Sequence, residues 1–186
     1  DNGIVWIGHS EGLNRMRGDV ISAVRLLPGT GRDASVLALA ERGDGVWVGT
    51  YNQGVMGLDA GGRVVQRISL PGTVPPLVRS LLSESDGGLW IGSSEGLFHY
   101  QQGKLHHYGL EEGLPWLAVH ALYRDAAGVL WIGTNGGMAG LDQEGKLQAW
   151  SPDVGFPARY VFDFLGDDNG DLWIASDHGL LRKRGL

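Results

Sequence analysis

Leu89-Trp90-Ile91-Gly92 is one of five versions of the same short segment. The others are Val5-Trp6-Ile7-Gly8, Val46-Trp47-Val48-Gly49, Leu130-Trp131-Ile132-Gly133 and Leu172-Trp173-Ile174-Ala175. Trp6, Trp47, Trp90, Trp131 and Trp173 stand 41, 43, 41 and 42 residues apart. A period of roughly 40–50 residues marks a repeat architecture, in which each unit buries its apolar face against its neighbours. The five tryptophans therefore read as the core of five repeated units.

Outward from each tryptophan, the repeat divides into four strand-like segments. The first is Val36-Leu37-Ala38-Leu39-Ala40, recurring from Val78, Val119 and Val161. Polar turns follow it: Gly43-Asp44-Gly45, Ser85-Asp86-Gly87-Gly88, Asp125-Ala126-Ala127-Gly128 and Asp168-Asn169-Gly170. Such pairs between apolar strands are hairpin signals, because tight hairpin turns need positive φ. The tryptophan strand is the second. Its apolar residues are continuous, which predicts that both of its faces are covered.

A second tight turn falls at Gly12, Gly54, Gly96, Gly137 and Gly179, before third strands that begin at Leu13, Val55, Leu97, Met138 and Leu180. The fourth segments, Arg63-Val64-Val65, Lys104-Leu105-His106 and Lys146-Leu147-Gln148, are more polar, as outer edge strands are. Pro71, Pro75-Pro76, Pro115, Pro152 and Pro157 lie in the connections, where they break no ladder. Glycine, at 32 residues, recurs at fixed phases and is assigned to turns.

Four antiparallel strands per repeat describe a β-propeller blade. The expected fold is all-β: about five blades over residues 1–186, with repeats near 1–35, 36–77, 78–118, 119–160 and 161–186. The first repeat lacks its innermost strand and the last its outermost. That predicts about 18 strands, in three complete and two incomplete blades, as an arc cut from a larger propeller, with a closed five-bladed ring as the alternative. The absence of an initial methionine is consistent with processing or with a piece of a longer chain.

Charge and composition narrow the function classes. There are 15 Lys and Arg against 21 Asp and Glu, and the single cationic cluster is Arg182-Lys183-Arg184. No cationic stripe exists to meet a phosphate backbone, so a nucleic-acid partner is not expected. No apolar run approaches the ~20 residues of a membrane helix, so no membrane insertion by this segment is expected. The chain has no cysteine, which removes disulfide and thiolate chemistry.

Asp86-Gly-Gly-Leu-Trp-Ile-Gly-Ser-Ser-Glu-Gly-Leu97, the matching stretch from Asp125 to Met138, and the connections Glu112-Gly113-Leu114-Pro115 and Val154-Gly155-Phe156-Pro157 carry a family resemblance. They resemble the two-component regulator propeller repeats of bacterial extracytoplasmic sensor regions. The resemblance implies a periplasmic or extracellular, non-catalytic ligand-recognition module of a receptor whose output domain is a histidine kinase or diguanylate cyclase. It implies a small-molecule or glycan ligand, with no cofactor. The chain departs from the pattern at Ala175, at Met138, and in the connection from Gly29 to Ser35. Two alternatives stand beside this reading. One is a scaffold that self-associates through open blade faces or mediates receptor dimerisation. The other is a streptogramin-lyase-like propeller enzyme, which needs a histidine base beside an acidic, magnesium-binding mouth.

No catalytic constellation is legible. His9, His99, His106, His107, His120 and His178 have no metal-ligand spacing. Asp167, Asn169 and Asp171 alternate like a calcium loop but align with ordinary hairpin turns. Propellers bind at one mouth of the central channel, lined by the loops entering the first strand and by the hairpin after the second. Trp116, His120, Arg159 and Tyr160 occupy the first phase, with Arg79 at the phase of His120. Tyr51, Asn52, Asn135, Asp177 and His178 occupy the second. Trp116 and Trp150 lie outside the repeated tryptophan position. Trp116, in a mouth loop, is the stronger candidate for stacking on a flat ligand.

Overall fold

The computed structural model describes residues 3–29, 33–72 and 76–184. Pro75 and residues 30–32 of the first connection lie outside the described residues. The chain divides into two compact units, Asp1–Leu89 and Trp90–Leu186.

In the first unit, β1 (Ile4–His9), β2 (Gly12–Arg17) and β3 (Val20–Val24) form a three-stranded antiparallel sheet. A four-stranded sheet follows in the order β4 (Val36–Arg42), β5 (Gly45–Thr50), β6 (Val55–Leu58) and β7 (Val64–Ile68). β8 (Val78–Ser83) packs against β4 and β5. The boundary between the units falls inside β9 (Leu89–Ser93).

In the second unit β9 lies beside β10 (Gly96–Gln101), which pairs with β11 (Lys104–Tyr108). A four-stranded sheet runs β12 (Val119–Arg124), β13 (Leu130–Thr134), β14 (Gly137–Leu141) and β15 (Leu147–Trp150). A single 3-10 turn at Pro152–Val154 leads to the three-stranded sheet β16 (Val161–Gly166), β17 (Leu172–Ser176) and β18 (Gly179–Lys183). The described residues thus hold 18 strands, and the first and last sheets have three strands each, as the repeat count predicts.

Four of the five hairpins after a tryptophan strand close in one way. Thr50, Ser93, Thr134 and Ser176 donate a hydroxyl to the carbonyl of Gly54, Gly96, Gly137 and Gly179, at 2.8–2.9 Å. Those glycines all have positive φ, which L-residues adopt only with strain. In the first sheet His9 stands at the hydroxyl position, and its Nδ1 accepts the Glu11 N–H at 3.2 Å.

The glycine of the Trp-x-Gly segment has another role, which corrects its assignment to turns. Gly49 lies within β5, and a Cβ there would come 2.5 Å from Val78 Cγ1. The segment is a close-approach site, and Gly8, Gly49 and Gly133 admit Val36, Val78 and Val161, each of which opens a following first strand. Both faces of β5, β9 and β13 are covered, as expected. β1 departs from that expectation, with Val5 and Ile7 48% and 38% exposed.

Four of the tryptophan rings are capped by cations or rings. Arg42 lies 4.9 Å over Trp47, His99 stacks 4.0 Å from Trp90, and Trp150 sits 5.5 Å from Trp131. Arg182 lies 5.1 Å over Trp173. Trp150 therefore belongs to the core.

Candidate functional mouths

Where the first strand meets the tryptophan strand, the register slips by one residue at the same place in three sheets. The shifts fall between Val36 and Ala38, Val119 and Ala121, and Val161 and Asp163. Leu37, His120 and Phe162 are the extra residues. A bulge of this kind bends its strand and re-aims one side chain. Arg79, at the same phase of β8, is exposed. Leu37 and Phe162 are not among the residues predicted from sequence. A signal for them exists, since each directly follows the valine that opens its repeat.

In the second unit the bulge and hairpin residues gather into two adjoining clusters. His120 Nε2 hydrogen-bonds Asn135 Oδ1. Beside Asn135, Gly136 has no room for a side chain: a Cβ would lie 2.9 Å from Trp116 Cβ. Trp116 is thus seated on the hairpin and remains 53% exposed. The second cluster is built on Asp177. Its Oδ1 accepts the backbone N–H of Arg159 and of Tyr160, both at 3.1 Å, and lies 3.3 Å from His178 Nδ1. Desolvation pushes this carboxyl up, but the bonds from the Tyr160 N–H, His178 and the Arg159 N–H outweigh it and hold the group below the usual carboxylate range.

Tyr160 stacks parallel to Phe162 at 6.5 Å. The Gly137 N–H donates to the Arg159 carbonyl at 2.7 Å, which joins the two clusters. The arrangement offers exposed aromatic faces and one exposed guanidinium on loops held by backbone hydrogen bonds. It can stack and hydrogen-bond a ligand with little loop ordering.

Tyr51, Asn52 and Arg79 belong to the first unit. Tyr51 and Asn52 line a cleft of about 1010 Å³ together with His9, Glu11, Asn14 and Arg25, which sequence reasoning did not single out. Asp33 also lines it. Its carboxylate accepts the N–H groups of Leu26, Leu27 and Ala34 at 3.0–3.1 Å. These bonds tie Asp33 back to Leu26 and Leu27 in the first connection, which lacks the Gly-Leu-Pro form. The hairpin is tied to its own first strand by the Tyr51 N–H to Ser35 carbonyl bond, at 3.0 Å, matched in phase by Asp177 to Tyr160 at 3.0 Å.

The calcium-like run is a turn. Asp167 Oδ1 accepts the N–H groups of Asn169 and Asp171, at 2.9 and 3.0 Å, and Oδ2 accepts Trp173 Nε1 at 2.9 Å. Asp125 does the same for Val129 N–H and Trp131 Nε1, at 2.8 and 2.7 Å. Among the described residues, no three His, Asp or Glu side chains converge as metal ligands.

Sheets of three or four antiparallel strands, repeated and packed through a tryptophan strand, define β-propeller blades. Residues 113–136 and 155–178 match the two component regulator propeller family. No curated protein sequence matches the chain significantly. The fold is similar to the extracellular domain of the putative hybrid two component system BT3049 from B. thetaiotaomicron. That likeness has a TM-score of 0.82 and 24% identity, over 100% of this chain and 26% of that one. It is also similar to a catalytically inactive virginiamycin B lyase from Staphylococcus aureus, with a TM-score of 0.79 and 15% identity, over 100% of this chain and 65% of that one. The WD40 propeller domain of Doa1 gives a TM-score of 0.72 at 18% identity, over 98% of this chain and 60% of that one. The chain thus spans about a quarter of the length of the Bacteroides domain.

Proposed function

We propose that this chain is a ligand-recognition module, without catalysis of its own, from the extracytoplasmic part of a bacterial two-component or diguanylate cyclase receptor. The regulator propeller repeats and the likeness to an extracellular two-component domain support the receptor context. The carrying observation is Trp116: a tryptophan outside the repeat, half in solvent, seated on Gly136 beside the His120–Asn135 pair. A core ring would be covered, and a ring in a mobile loop would not be ordered for stacking. The ligand is a small molecule or glycan that presents a flat face to Trp116 and the Tyr160–Phe162 stack, with an acceptor for Arg159. Titration of the protein with a panel of flat-faced small molecules and oligosaccharides, read by tryptophan fluorescence, tests this. A binder whose affinity falls at least tenfold in Trp116→Ala, with the melting temperature unchanged, supports it. Binding indifferent to Trp116, Arg159 and Tyr160 refutes it.

A further inference from the structure

Tyr160 and Phe162 stand on either side of a buried valine and present two parallel rings to solvent. We propose that this pair, together with Arg159, forms a subsite for a flat aromatic carboxylate, a fused-ring acid rather than a sugar. The inference rests on the ligand-recognition reading and narrows its ligand class.

The rings are held in place by the backbone beneath them. The Tyr160 N–H donates to Asp177 Oδ1 at 3.1 Å, and the Tyr160 carbonyl accepts the Asp177 N–H at 3.0 Å. Val161 is fully buried against Gly133, where a Cβ would lie 2.9 Å from Val161 Cγ1. Phe162 is the extra residue of the β16 bulge, and a bulge re-aims its side chain. Tyr160 and Phe162 are 41% and 53% exposed. Exposure belongs to this phase of the repeat, since Leu37 is 41% exposed although β4 packs against both β1 and β8.

The ring geometry selects flatness. The two planes are 3° from parallel and the centroids 6.5 Å apart. Carbon atoms in contact lie about 3.5–4 Å apart, so planes at that spacing would be displaced sideways by about 5 Å, more than a ring's width. Neither ring therefore covers the other, and parallel faces remain for a ligand. A rigid planar system meets both at once, and an aromatic one adds ring–ring attraction at each. A chair-shaped sugar is puckered and stacks on one face at a time.

The available charge beside the rings is positive. Arg159 is exposed, and among the described residues no hydrogen bond or ion pair engages its guanidinium. The Asp177 carboxylate is taken up by two backbone N–H groups and His178. A planar carboxylate matches the guanidinium fork with two parallel hydrogen bonds. A carboxylate conjugated to an aromatic ring shares the ring's plane, so one rigid ligand can engage the rings and the fork together.

The test uses 2-naphthoate as the probe, with three comparators. Decahydro-2-naphthoate has the same charge and skeleton but is puckered, 2-naphthamide is flat but neutral, and glucuronate is a sugar acid. Affinity for the whole chain is read by equilibrium dialysis, and placement by ring-current shifts of the Tyr160 and Phe162 side-chain protons. Naphthoate is expected to bind about tenfold more tightly than the decahydro acid. It should bind about fivefold more tightly than the amide at low salt, with that difference shrinking in 1 M salt. Phe162→Leu keeps an apolar side chain at the bulge and should weaken naphthoate about fivefold, leaving the decahydro acid and the melting temperature unchanged. Arg159→Gln should remove the preference for naphthoate over the amide. The proposal is overturned if the flat and puckered acids bind alike, or if none of the probes binds at millimolar concentration. It is equally overturned if Phe162→Leu spares naphthoate or weakens both acids equally. If glucuronate binds more tightly than naphthoate and depends on Trp116, this inference falls while the ligand-recognition reading stands. Binding indifferent to Trp116, Arg159 and Tyr160 removes both.

Discussion

A Cβ on Gly49 would lie 2.5 Å from Cγ1 of Val78, closer than any real carbon contact. The same relation joins Gly8 to Val36 at 2.5 Å and Gly133 to Val161 at 2.9 Å. In these three repeats one glycine thus sets how closely a following first strand can approach the tryptophan strand. Gly49→Ala should destabilise the protein by about 1–3 kcal/mol through overpacking. Gly49→Ala combined with Val78→Ala should cost less than the sum of the single changes, because the two side chains share one space. Urea unfolding of the three variants measures that coupling, and strict additivity would contradict the packing relation.

Asp125 bonds the indole N–H of Trp131 and the N–H of Val129 with one carboxylate and is itself buried. Asp125→Ala leaves both donors without a protein partner. A buried orphaned donor costs about 1–3 kcal/mol, so a loss of about 2–4 kcal/mol is expected in chemical denaturation. A loss below 1 kcal/mol would mean that water replaces the carboxylate.

Asp33 holds the first connection through the N–H groups of Leu26, Leu27 and Ala34, and Leu26 is fully buried. Asp33→Ala removes every one of these acceptors and should cost about 1–3 kcal/mol. Asp33→Asn keeps one carbonyl oxygen in place and should recover part of that loss. Urea midpoints, together with faster amide exchange at Leu26 and Leu27, read the effect. Equal stability of the alanine variant and the unaltered protein would show that the connection folds without this carboxylate.

Acid should loosen the last sheet. The hydrogen bond from Trp173 is the largest influence on Asp167, and with the Asp171 and Asn169 N–H bonds it holds the carboxyl below the usual range. A depressed folded value means that the contribution is fully present above the unfolded aspartate value of about 3.9. It is lost as the pH falls through the lower folded value. Asp167→Asn should flatten that part of the acid unfolding curve. A wild-type curve that the variant reproduces would show that Asp167 is not the group responsible.

The candidate site is partly legible in the sequence. Repeat phase alone selects His120, Asn135, Arg159, Tyr160, Asp177 and His178, and the structure joins them by hydrogen bonds within one unit. Phase does not separate the residue that anchors from those that remain available. Asp177 commits its carboxylate to two backbone N–H groups and His178, while Trp116 and Tyr160 keep exposed faces. Of the cleft beside Tyr51, phase selects Tyr51 and Asn52 but not Asn14, Arg25 or Asp33, because that lining comes from a second hairpin and a connection that are not distinctive in isolation.

The repeat period, the positive-φ glycines and the alternation of apolar runs with polar turns are enough to set the number, order and pairing of the strands. These are local properties: a hairpin forms between segments a few residues apart, and each turn demands its own residue types. The identity of the neighbour that each side chain meets is not legible in this way. That Gly49 admits Val78, that Asp125 and Asp167 reach an indole, and that Trp150 caps Trp131 emerge only when packed segments impose their spacing on one another. Close packing turns differences of an ångström into the choice between a turn residue, a socket and an exposed ring.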